Sequence, residues 1–110
     1  MQTTEQTNVV VLVVAGPTLD ANASKAFKNK VGPIVESTSK LVVDMSNVRF
    51  VDSSGLGAIL SCLRQLNAKG GEMRIFGLSK PVRSLFELVR MHKVVEIYNT
   101  KEEALSGFEN

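Results

Sequence analysis

Asp52-Ser53-Ser54-Gly55 lies where an apolar run ending in Phe50-Val51 gives way to the amphipathic pattern Leu56 to Leu66. Backbone N–H groups in the first turn of a helix have no intrahelical partner. A serine hydroxyl there caps them, and a phosphate there meets free donors and the positive end of the helix dipole. The chemistry open to this junction is therefore phosphoryl acceptance by a serine. The competing reading is an ordinary serine N-cap followed by a glycine that allows close packing. At roughly 100° per residue, Leu56, Ile59, Leu60, Leu63 and Leu66 fall on one side of the helix, and Ser54, Gly57, Ala58, Ser61 and Gln65 on the other. The same wheel sets Ser53 at the flank of the apolar stripe and Ser54 on the opposite face. Ser54, read as the N-cap, is thus the expected phosphate acceptor. A solvated helix face is normally filled with Lys, Glu and Arg, whereas this one carries short side chains that let another protein come close. The alternative is packing against another helix of the same domain.

The remaining polar residues offer less. Asp44 and Asp52 flank the loop, where a carboxylate could hold the Ser54 hydroxyl or meet the groups of a modifying enzyme. Both could equally be loop formers, since Asp side chains bond to nearby backbone in turns, and Asp44-Met45-Ser46-Asn47 is rich in that chemistry. Asp20 reads most simply as the cap of an earlier helix. His92 is the only histidine and Cys62 the only cysteine, so no metal cluster or Cys-His pair can be assembled from them. Cys62 reads as a small hydrophobe beside the apolar stripe, and His92 as a helix-end residue. Gly55-Leu56-Gly57 lacks the third glycine of a dinucleotide fingerprint, and no glycine-rich phosphate loop carries a lysine. The sequence supplies no catalytic apparatus, no cofactor motif and no metal site, and the chain is expected not to be an enzyme.

A chain of 110 residues, 44% hydrophobic and 22% charged, is expected to form one domain over 1–110 and to bury a single core. Thirteen basic and 11 acidic residues are scattered without the basic stripe of a nucleic-acid surface, so nucleic acid is not an expected partner. A lone cysteine allows no intrachain disulfide and fits a reducing cytoplasm. Met1 to Thr7 lacks the positive flank of a signal peptide, and Val9 to Ala15 is too short to span a bilayer, so the domain is not expected to insert in a membrane.

These residues must be positioned by elements that alternate short β-branched runs with helical patterns, the mark of an α/β fold on a mainly parallel sheet of four or five strands. Val9–Val14, Leu41–Met45, Met73–Phe76 and Val94–Tyr98 read as strands, and Thr3 to Gln6 as an edge strand turning through Thr7-Asn8. About four helices are expected. The first starts at Asp20 as N-cap, buries Ala23, Phe27, Val31 and Ile34, and must end or kink at Gly32-Pro33. The second runs from Ser54 to about Ala68 and closes at Gly70-Gly71. Pro81 opens the third, with Val82, Leu85, Phe86 and Val89 on one face and Arg90 and Lys93 near its end. Thr100-Lys101-Glu102-Glu103 reads as a capping box for a short fourth helix carrying Ala104, Leu105 and Phe108.

Phe50-Val51-Asp52-Ser53-Ser54-Gly55-Leu56-Gly57 resembles the signature of the STAS domain family, and in particular its small bacterial anti-sigma factor antagonists. Leu41-Val42-Val43-Asp44 resembles the family's preceding strand and Gly70-Gly71-Glu72-Met73 its following turn. Pro81-Val82-Arg83-Ser84-Leu85-Phe86 resembles the third helix, and Ile97-Tyr98 with Glu103-Ala104-Leu105 the closing strand and helix. Gly16-Pro17-Thr18-Leu19-Asp20 is one residue longer than the usual turn, and Met91-His92 stand where a Gly-Leu pair is common. The resemblance implies an anti-sigma factor antagonist. Its unphosphorylated form binds an anti-sigma factor that is also a serine kinase, phosphorylation at Ser54 switches it off, and a metal-dependent serine phosphatase resets it. It also adds Asp20 to a partner surface of Asp52, Ser53, Gly55, Gly57, Ala58 and Ser61. STAS domains also serve as accessory subunits of lipid or anion transporters, which do not rely on the full Asp-Ser-Ser-Gly switch. A phospho-aspartate receiver built on Asp44 is disfavoured, because Val14-Ala15-Gly16 supplies no acidic pair for magnesium.

Overall fold

The computed structural model describes residues 2–6 as backbone, and residues 9–106 and 108 in full. Five strands form one sheet in the order β1 (Gln2–Gln6), β2 (Val9–Val13), β4 (Lys40–Asp44), β6 (Glu72–Phe76) and β7 (Glu96–Tyr98). β1 is antiparallel to β2, and the other pairings are parallel, for example Val11↔Val42 and Val43↔Ile75. The expected turn through Thr7-Asn8 lies outside the described residues.

Alternation along the strands sends side chains to two cores. Val10, Leu12, Leu41, Val43, Met73 and Ile75 face a large core shared with three helices, α1 (Ala21–Ser37), α2 (Ser53–Ala68) and α3 (Lys80–Leu88). Val9, Val11, Val42 and Phe76 face a smaller one closed by Ala104 of α4 (Lys101–Leu105) and by Phe108. Both faces of β2 and β4 are covered, as their near-continuous β-branched and aliphatic runs require. Arg74 locks the second layer. Its guanidinium stacks 3.8 Å from the Phe108 ring centroid, donates to the carbonyls of Ala104 (3.0 Å) and Ser106 (2.6 Å), and pairs with Glu72 (2.9 Å). The capping box of α4 is present, with Glu103 N–H donating to Thr100 Oγ1 (3.1 Å) and Thr100 N–H to Glu103 Oε1 (3.2 Å).

Three expectations are corrected. Of the two outcomes expected at Gly32-Pro33, an end or a kink, the end is excluded: α1 continues to Ser37, because Val31 and Val35, four apart, keep burying on the same face and offset the hydrogen bond that proline cannot donate. Its deepest residues are Ser24, Phe27, Val31 and Val35, with Ala23 and Ile34 half-buried. α3 stops at Leu88, so Val89 becomes its exposed C-cap, and Arg90 takes the left-handed conformation (φ 63°) leading into a 3-10 turn, Met91–Lys93. β7 starts at Glu96 rather than Val94, since the amides of Val94 and Val95 both donate to Met91 O (3.0 Å each) and cannot enter the ladder.

Candidate functional site

A second, two-stranded sheet positions the site. β3 (Thr18–Leu19) and β5 (Phe50–Val51) pair in parallel, Thr18↔Phe50 and Leu19↔Val51. Pro17 O accepts from the amides of Arg49 (2.6 Å) and Phe50 (3.1 Å), and Leu19 O accepts from Asp52 N–H (3.3 Å). Each short strand then runs through one aspartate into a helix. Asp20 (φ −98°, ψ −168°) caps α1 and Asp52 (φ −100°, ψ −174°) caps α2. Each carboxylate accepts an amide three residues on, Ala23 N–H and Gly55 N–H, both at 3.0 Å. The starts of α1 and α2 are thus held side by side by one ladder and capped alike.

The N-cap of α2 is therefore Asp52, not Ser54 as the sequence suggested. A cap residue must be extended, and the bond from Asp52 N–H to Leu19 O keeps residue 52 in strand geometry, so helical dihedrals begin at Ser53. Ser53 and Ser54 are the first and second helical residues, and both are exposed. The Ser54 hydroxyl makes no hydrogen bond among the described residues, so the cap leaves it uncommitted.

The other candidates divide. Gly55 is buried, and a Cβ there would lie 2.4 Å from Leu19 O and 2.8 Å from Val51 Cγ1, so its role is the close approach of α2 to β3. Ala58 is also buried, at 1% exposure, against α1. The small face expected to be open is therefore partly covered within the domain. The buried stripe runs through Gly55, Ala58, Ile59, Cys62, Leu63 and Leu66, while Leu56 and Leu60 are half-exposed. Gly57 has open space around its missing Cβ, and Ser61 is half-buried beside Phe27 and Cys62. The accessible surface at this end consists of Ser53, Ser54, Gly57 and the edge of Ser61, beside the half-buried carboxylates of Asp20 and Asp52.

Asp44 is a loop former, accepting the Ser46 amide (2.8 Å) and the Ser46 hydroxyl. Burial pushes the Cys62 thiol up to about 12, leaving it neutral and unreactive at physiological pH. His92 is exposed in the 3-10 turn. Among the described residues no three His, Cys, Asp or Glu side chains gather as metal ligands.

Two features were missed from sequence. Phe50, read as part of an apolar run, is 54% exposed beside the site. A groove of about 550 Å³ also opens between the two helix starts, lined by Ala21, Asn22, Ser24, Lys25, Lys28, Ser54 and Gly57. Helical spacing of Lys25 and Lys28 was the available signal for the groove, but it has no meaning until α1 is known to lie beside α2.

Comparison with known proteins agrees with this geometry. The family model of the STAS domain matches residues 1–104, and the chain belongs to that family. It is 30% identical over 102 residues to an anti-sigma F factor antagonist of Paenibacillus polymyxa, covering 91% of this chain and 87% of that one. Its fold is similar to that of the Bacillus cell fate determinant SpoIIAA in the phosphorylated form, with a TM-score of 0.73 at 23% identity over 94% of this chain and 95% of that one. It is also similar to the STAS domain of a SulP transporter from Vibrio cholerae, with a TM-score of 0.76 at 23% identity over 96% and 84% of the two chains.

Proposed function

We propose that this chain is an anti-sigma factor antagonist whose unphosphorylated form binds an anti-sigma factor that is also a serine kinase, and so frees the sigma factor. The observation that carries the reading is the exposed, uncommitted hydroxyl of Ser54 on the first turn of α2, directly after a cap that does not need it. The partner meets Ser53, Ser54, Gly57 and the edge of Ser61, with Asp20 and Asp52 at the rim and the side chains short enough for a kinase to reach the hydroxyl. Gly55 and Ala58 act from below by setting the height of the helix.

Phosphorylation of Ser54 adds about −1.5 to −2 charges at neutral pH to a surface shaped for close contact, and so breaks the complex. The reverse step needs a phosphoserine phosphatase, a metal-dependent enzyme, as the partner that resets the switch. The anti-sigma F factor antagonist of Paenibacillus polymyxa and the phosphorylated form of SpoIIAA support the reading by their names and similarity. No helix among the described residues is long and apolar enough to cross a membrane, in keeping with action in the cytoplasm.

The transporter-subunit alternative shares the fold, so the fold does not choose between them. The serine does. The test is incubation with the anti-sigma kinase and labelled ATP, followed by site mapping and by titration of binding. Label on Ser54, together with near wild-type affinity for Ser54→Ala and partial loss for Ser54→Asp, supports the switch. Equal binding of the two variants, or label elsewhere, moves the transporter reading to first place.

A further inference from the structure

The groove between the starts of α1 and α2 holds an unusual set of groups for a surface with no assigned ligand. Lys25 and Lys28, three apart and so on one helical face, line it together with Ser54 and Gly57 of α2. Neither lysine makes an ion pair or a side-chain hydrogen bond among the described residues. Lysines that the fold uses are committed: Lys40 Nζ donates to Phe108 O (2.9 Å), and Lys69 Nζ donates to Val35 O and Thr38 O. No Asp or Glu lines the groove, and the first turns of both helices are free of acidic residues. Two lysines thus share the groove with Ser54, while the carboxylates of Asp20 and Asp52, at the helix starts beside it, are each engaged by an amide of their own helix.

A second observation points the same way. Ser24 also lines the groove; among the described residues it is the one polar residue in the buried set, at 4% exposure, and its Oγ, like that of Ser79 elsewhere, has no hydrogen-bond partner there. Buried hydroxyls are ordinarily satisfied, because an unpaired one carries its full desolvation penalty. A buried hydroxyl without a partner and two uncommitted cations lining one groove are groups that an oxyanion would satisfy.

We propose that Lys25, Lys28 and Ser24 form the seat for the phosphoryl group carried by Ser54. The inference rests on Ser54 being the modified residue and adds what reads the modification within the chain. The phosphate stays on the serine and exchanges water for the two ammonium groups of the neighbouring helix, bridging the starts of α1 and α2. Two consequences follow for the switch. The charge seen by a partner is smaller than that of a free phosphoserine, and the groove becomes filled.

Phosphoserine encoded genetically at position 54 makes the test independent of any kinase. The second ionisation of the phosphate, about 6 for free phosphoserine, is followed by ³¹P NMR. The expected midpoint is lowered in the phosphoprotein and rises by about half a pH unit in K25Q/K28Q, as loss of nearby opposite charge requires. K30Q, on the same helix outside the groove, leaves it in place, and K25R/K28R restores it. The single variants K25Q and K28Q each give a part of the shift and serve if the double variant unfolds. A midpoint unmoved by the lysine variants overturns the proposal. So does saturable binding of inorganic phosphate to the unmodified chain with the phosphoserine midpoint unmoved, which would reassign the groove to a free anion. Failure of the kinase to label Ser54 would instead count against the proposed function and leaves the result of this titration standing.

Discussion

The carbonyl oxygen of Leu19 accepts the Asp52 amide at 3.3 Å, and the same oxygen lies 2.4 Å from where a Cβ of residue 55 would be. One backbone atom on β3 therefore fixes both where α2 begins and how near it can lie. The oxygen is part of a ladder and cannot retreat.

Replacing Gly55 by alanine is expected to destabilise the domain by about 1–3 kcal/mol, the range for overpacking a closely fitted site. The clash is with backbone, so side-chain repacking gives no relief. Urea denaturation monitored by circular dichroism measures the change. A loss under about 0.5 kcal/mol would mean that α2 can shift away from β3, because changes of that size are typical of unconstrained surface sites.

The cap assignment separates Asp52 from Ser54. Asp52→Ala removes the acceptor for Gly55 N–H and is expected to cost about 1 kcal/mol. Ser54→Ala, one residue into the exposed first turn, is expected to stay within about 0.5 kcal/mol of the wild type. The same denaturation experiment reads both. A larger cost for Ser54→Ala than for Asp52→Ala would return the cap to the serine.

Gly57 has nothing within 4 Å of its missing Cβ. Gly57→Arg should therefore fold with a melting temperature close to that of the wild type, while blocking close approach to the Ser54 face. Isothermal titration with the anti-sigma partner is expected to show at least a tenfold weaker complex, about 1.4 kcal/mol. Unchanged affinity would show that the partner does not sit on this side of α2.

Burial holds the Cys62 thiol protonated, pushed up to about 12, whereas an unfolded cysteine ionises near 8.5. The folded state binds the proton more tightly than the unfolded state, so this contribution is complete below about pH 8.5 and is lost as pH rises, by at most about 1.4 kcal/mol per unit. Stability measured from pH 7 to pH 10 should fall less steeply in Cys62→Ala than in the wild type. Iodoacetamide at pH 8 should label the thiol only after denaturation. Rapid labelling of the native chain would place the thiol in solvent.

Much of the frame was legible because it depends on local rules. Short β-branched and apolar runs located β2, β4 and β6, Asp20 announced α1, and Thr100 with Glu103 announced α4. Errors arose where a distant segment decided the outcome. Ser54 and Asp52 are equally good caps by residue type, and only the bond to Leu19 selects the aspartate. Two-residue strands such as Thr18–Leu19 and Phe50–Val51 are too short for any alternation to register, so the ladder joining the two helix starts had no signature. Ala58 looked like part of an open face because a helical wheel shows which residues share a side, not which neighbour will occupy it.

The paired caps also bear on the thermodynamics of recognition. Amides 49 and 50 are bonded to Pro17 O, amide 52 to Leu19 O of β3, and amide 55 to the Asp52 carboxylate, so little backbone freedom remains to be lost at the proposed recognition surface when a partner docks. Association then carries a small ordering penalty, and its entropy is dominated by released water rather than by stiffening of this chain. The partner must adapt its shape to this surface, and the heat-capacity change on binding should match the apolar area covered, with no further contribution from folding on this side of the complex.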